Sequence, residues 1–128
     1  MTIWFGLLLG MRCRKAVNDM QGIRFKAALN REGKRKQQVW EGDISRIQLR
    51  QQPYEATMCI RGGSYHLIFG QQINGWFLCV PNWEIGVELS TPADRFWNIE
   101  SLCRAGVSEV DAVCIADALK TLSSYIEL

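Results

Sequence analysis

The chain has a single histidine, His66, within Tyr65-His66-Leu67-Ile68, and a cysteine, Cys79, within Phe77-Leu78-Cys79-Val80. A thiol beside an imidazole can form a thiolate nucleophile, with a third group orienting the ring. If residues 64–70 and 76–81 pair through a turn at Asn74-Gly75, Phe69 faces Val80 and Gln71 faces Leu78. His66 and Cys79 then lie diagonally on one face of the hairpin. Such a pair would make Cys79 react unusually fast with iodoacetamide near neutral pH. A lone histidine in an apolar strand more often serves structure, and that is the stronger reading.

Other chemistry has less to stand on. Glu84, Glu88, Asp94 and Glu100 could supply paired carboxylates for acid–base work. Asp94 and Glu100 are equally explained as helix-cap and surface charges. Glu84 and Glu88 alternate with Ile85, Val87 and Leu89 as the wet side of a strand. The sequence holds no nucleophile elbow, phosphate-binding loop or dinucleotide fingerprint. One histidine and unclustered cysteines do not make a metal site. Neither a cofactor nor a metal is expected, and the chain reads as a binding protein rather than an enzyme.

Charge is uneven. The net charge is +2, yet residues 1–61 hold 12 of the 15 Lys/Arg and 5 of the 13 Asp/Glu, a balance of +7 against −5 for the remainder. Arg24, Lys26, Arg31, Lys34, Arg35 and Lys36 cluster as a basic hairpin, which could lie along a phosphate backbone or meet an acidic partner. The plain alternative is a solvated turn. Most aromatic residues lie in the acidic half, away from these cations, which weakens a single-strand-binding reading. The polarity would also let two chains meet head to tail as a homodimer. Trp76, Trp83 and Trp97 sit near turns and are candidates for a protein interface, with simple core packing as the alternative.

The elements that must position these residues follow from periodicity. Ile23, Phe25, Ala27 and Leu29 alternate with Arg24, Lys26 and Ala28, as in a strand with one wet face. Residues 39–40 and 44–49 predict two further strands, broken by Gly42. Four more are predicted at 57–61, 64–70, 76–81 and 84–89. Tyr65, Leu67 and Phe69 share a face with Trp76, Leu78 and Val80. His66, Ile68, Phe77 and Cys79 share the other face, which is not plainly polar and asks for a cover.

Two helices are the candidate cover. Thr91-Pro92-Ala93-Asp94 reads as a cap with proline at the first helical position, followed by Phe96, Ile99, Leu102 and Cys103 at helical spacing and stopped by Gly106. Ser108-Glu109-Val110-Asp111 opens a second helix, with Val110, Val113, Cys114, Ala118, Leu119 and Leu122 as its stripe. The expected fold is α+β: an antiparallel meander of five or six strands followed by two packed helices.

The 128 residues are 48% hydrophobic and 22% charged, as in an ordinary globular domain. Residues 1–20 read as an apolar and basic extension, and residues 21–128 as a single α+β domain. In the extension, the apolar run at 3–9 precedes its basic residues, the reverse of a secretory signal, and is too short to span a membrane. The five cysteines are scattered without a C-x-x-C pair, which suits a reducing cytoplasm.

Read in order, Gly62-Gly63-Ser64-Tyr65-His66, the run from Asn74-Gly75-Trp76 to Pro81-Asn82-Trp83, Asp94-Arg95-Phe96-Trp97-Asn98 and Val110-Asp111-Ala112-Val113 form a recognisable series. Over residues 40–122 it resembles a family of short proteins of Clostridia and related gut Firmicutes, often found in phage and mobile-element neighbourhoods. That family has no established activity, so the resemblance carries over no catalytic residue. It implies a small cytoplasmic accessory protein that binds a host protein or ribonucleoprotein complex, such as a CRISPR-type defence nuclease. Nucleic acid bound by the basic hairpin is the alternative, and a Cys79–His66 enzyme the third reading.

Overall fold

The computed structural model describes residues 22–30 and 36–126. Six antiparallel strands lie in sequence order: β1 (Ile23–Leu29), β2 (Gln38–Gln48), β3 (Tyr54–Ile60), β4 (Gly63–Gln72), β5 (Gly75–Val80) and β6 (Ile85–Leu89). A 3-10 turn at Pro81–Trp83 separates the last two strands. Helices α1 (Arg95–Arg104) and α2 (Glu109–Ser123) follow. The α+β meander expected from the sequence is the architecture found.

Alternation produces two unlike faces. On the inward side Ile44, Met58, Leu67, Phe69, Leu78 and Val80 are almost wholly buried against the helices. Tyr54 joins them, its ring centroid 5.5 Å from Phe69 and 6.4 Å from Trp76. The helices therefore cover the Leu67/Phe69 side and not the His66 side that the pattern left asking for a cover, and the His66 side stays half-exposed.

Helix α2 is buried along an unbroken run, residues 112–119. A helix apolar on all sides needs contact on all sides, and α2 packs against β1 and α1. Ser108 caps it, accepting from the Asp111 amide at 3.2 Å. Its one buried acid, Asp117, forms a two-pronged pair with Arg95, Nε to Oδ1 at 2.6 Å and Nη2 to Oδ2 at 3.3 Å. The pair also engages the edge strand: Asp117 Oδ2 accepts from the Ala28 amide at 3.0 Å, and Arg95 Nη2 donates to the Ala28 carbonyl. One carboxylate and one guanidinium thus fill the place of a missing neighbouring strand.

Four local expectations are corrected. Gly42 does not break β2. It sits within the strand opposite Phe25, where a Cβ would lie 2.7 Å from the Phe25 ring and 2.8 Å from the Cys59 carbonyl, so only glycine fits. The β4–β5 turn falls at Ile73-Asn74, pairing Phe69 with Leu78 and Gln71 with Trp76. This two-residue slip leaves every side chain on its expected face, because the strand period is two.

The first helix is capped by Asp94, which accepts from the Trp97 amide at 3.1 Å, and not by Thr91. Thr91 instead closes a tight turn onto the Ala93 and Asp94 amides. Fully buried Asn98 holds that turn, its Nδ2 donating to the Thr91 carbonyl at 3.0 Å. The α1 stripe also turns differently: Asn98 and Leu102, one turn apart, face inward, while Phe96 is 77% exposed. Gly106 ends α1 as expected, at φ 98, with Val107 donating to the Leu102 carbonyl in a Schellman closure.

Candidate functional site

Among the described residues, two surfaces combine chemistry with a hollow. The first is a basin of about 620 Å³ on the open face of the sheet. Its floor is Glu55, Thr57 and Cys59 of β3 with Ser64 and His66 of β4. One wall is a bulge in β2 between Ser45 and Gln48, where Arg46 takes φ 51. The opposite wall is Asn82 on the 3-10 turn. There β5 has ended, and the Asn82 side chain replaces it, accepting from the His66 amide at 2.8 Å and donating to the Ser64 carbonyl at 3.4 Å. The hollow exists because the strands flanking β3 and β4 are both interrupted at this level.

His66 Nε2 lies 3.0 Å from Glu55 Oε1. The carboxylate can only accept, so Nε2 donates. The two residues sit diagonally across β3 and β4, since His66 pairs with Thr57 and Glu55 with Ile68. Both side chains are more than 40% exposed, so the ion pair stabilises the fold little. Cys79 is on the same face, opposite Ile68 on β5, but it does not line the basin. The group that orients His66 is Glu55, which the sequence pattern did not single out. Cys59 is the basin's thiol, with Sγ 3.7 Å from Ser64 Oγ.

The second surface is a groove of about 470 Å³ between β1, α1 and α2. Ala28, Leu29, Ile99 and Val113 supply its apolar lining, and Lys26, Lys120 and Glu100 supply charge at its margin. Phe96 also lines it, with Trp97 next along the first turn of α1, 45% exposed. Of the three tryptophans proposed for an interface, Trp97 is the one on the surface. Trp76 is a core residue at 8% exposure, and Trp83 is half-buried with its ring centroid 4.8 Å from Tyr65.

The basic residues divide. Arg24 Nε lies 3.4 Å from Asp43 Oδ1, and Lys26 stands directly opposite Glu41. Acids on β2 thus offset both β1 cations. Lys36 is exposed. Arg31, Lys34 and Arg35 lie outside the described residues. Of the carboxylates, Asp94 caps α1 and Glu100 pairs with Arg104 at 3.1 Å. Glu84 closes the 3-10 turn from a left-handed conformation, and Glu88 is exposed on β6.

Two thiols are shifted. Burial, opposed by Arg61, pushes Cys114 up to about 11. Burial, with Glu109 and Glu100 adding to it, also raises Cys103. Among the described residues no group of three or more His, Cys, Asp or Glu side chains could hold a metal ion, and no helix is long and apolar enough to cross a membrane.

Sequence reasoning missed Arg46, Glu55, Asn82 and the outward turn of Phe96. A bulge has no reliable sequence mark, so Arg46 read as an ordinary strand position, and Glu55 fell just before the strand expected at 57–61. Phe96 was hidden by Asn98, a polar residue on the buried stripe.

Residues 23–127 match the model of a family of unknown function, DUF6618, and the chain belongs to that family. No curated protein and no solved structure matches it.

Proposed function

We propose that this member of the family is a non-enzymatic protein that binds a protein partner stoichiometrically through the first turn of α1 and the groove beside it. The observation that carries this reading is the exposure of two adjacent large rings, Phe96 at 77% and Trp97 at 45%, beside a groove of mixed apolar and charged lining. Neither ring is needed to fill the core, and aromatic anchors beside a pocket are the usual energetic centre of a protein interface. The resemblance to mobile-element proteins makes a host complex, such as a defence nuclease, the partner to look for first.

The test is a pull-down of the full chain from host lysate, with and without nuclease, beside a Phe96→Ser/Trp97→Ser double variant. A stoichiometric protein that survives nuclease and is lost with the double variant supports the reading. A partner kept by the double variant refutes this surface. A yield that collapses with nuclease moves the function to nucleic acid and the basic residues Arg24, Lys26, Arg31, Lys34, Arg35 and Lys36.

A further inference from the structure

We propose that the open-face basin is a second binding site, for a small oxyanion (a phosphate or carboxylate group), with Arg46 as its charged anchor. Among the described residues, three outside glycine adopt positive φ: Arg46, Arg61 and Glu84. Arg61 is the first residue of the two-residue turn between Ile60 and Gly63, where a tight hairpin demands that conformation. Glu84 closes the 3-10 turn. Arg46 is different, because it sits inside a strand at φ 51, a position that glycine or asparagine would occupy with less strain. Bulges re-aim side chains, and strain kept at such a point is a signature of function.

The surroundings fit an anion. Arg46 is exposed at the basin wall and has no acidic partner among the described residues. Glu55, the acid of the basin, has one oxygen already engaged by His66 Nε2 at 3.0 Å. Arg46 is the permanent cation among the residues that line the basin. Thr57, Ser45 and Ser64 add hydroxyl donors around it. A guanidinium fork with neighbouring hydroxyls matches the acceptor geometry of phosphate or carboxylate. No Phe, Tyr or Trp side chain lines the basin, so a base or a sugar face has no large ring to stack on. This site faces away from the helices and is independent of the α1 surface.

The experiment is a pair of 1H–15N titrations of the full chain at fixed ionic strength, one with inorganic phosphate and one with acetate. Saturable shifts centred on Arg46, Thr57 and Ser64 are expected with one of them. Phosphate alone identifies a phosphoryl ligand, and acetate alone a carboxylate. Arg46→Gly, which suits the left-handed backbone, weakens that binding by about tenfold or more while leaving the thermal midpoint unchanged or higher. Arg46→Lys keeps the charge and recovers part of the affinity. The proposal is overturned if neither anion gives a saturable shift below about 10 mM. It is equally overturned if Arg46→Gly binds as tightly as the parent chain.

Discussion

The two faces of the sheet are cut from the same strands and behave as different materials. Along β3, Ala56, Met58 and Ile60 point to the helices and are nearly inaccessible, while Glu55, Thr57 and Cys59 between them stay half-exposed. The inward side is close-packed, and a change of one methylene is felt there. The outward side holds the interruptions: the β2 bulge, the early end of β5 and the basin between them. Stability and recognition thus occupy alternate residues. The basin residues could change chemistry with little effect on folding.

The largest test of that division is Phe69→Ala. It deletes a fully buried ring beneath Tyr54, and a loss of about 3–5 kcal/mol is expected by chemical denaturation. A loss below about 1 kcal/mol would mean that the covered face is not the core.

The thiols give the next contrast. Cys114, on the buried run of α2, is raised from the ordinary thiol value of 9.0 to about 11, so near neutral pH it holds about 100-fold less thiolate than a free thiol. Iodoacetamide mapped by mass spectrometry should label Cys59 and Cys79 on the open face long before Cys114. Cys79 should label no faster than Cys59, and a markedly faster Cys79 would revive the Cys–His nucleophile. The sign of the linkage is set by the unfolded chain, which gives up this proton first. The stabilising effect is fully present below pH 9.0 and is lost as pH rises towards about 11, so denaturation midpoints should fall over that window.

The smallest effect belongs to the open face itself. Glu55→Gln removes an ion pair whose side chains are both over 40% exposed, and stability should move by no more than about 0.5 kcal/mol. The His66 ring resonances should shift clearly in the same variant. A large stability loss there would erase the distinction between the faces.

Much of this arrangement was legible in the chain. Strict alternation at Ile23–Leu29, the Ser108 cap and Gly106 each follow from local rules, and each stands where those rules put it. The candidate site was legible only in pieces. His66 was singled out, but its partner was sought in Cys79, because the strand expected at 57–61 left Glu55 outside it, whereas β3 begins at Tyr54. Thr91 satisfied the rules for a helix cap, yet buried Asn98 drew it into a turn and left Asp94 as the cap.

The sequence by itself determined the class of fold, the order of the elements, and which strand residues share a face. Those properties depend on backbone conformation and on periods of two and 3.6, which are written locally. Tertiary structure alone decided which face the helices cover, that Phe96 points outward, that Arg95 and Asp117 close the edge of β1, and that Glu55 meets His66 above a basin walled by Arg46. Each of these is set by side chains far apart in the chain competing for the same space and the same hydrogen bonds, and no local pattern records the outcome of that competition.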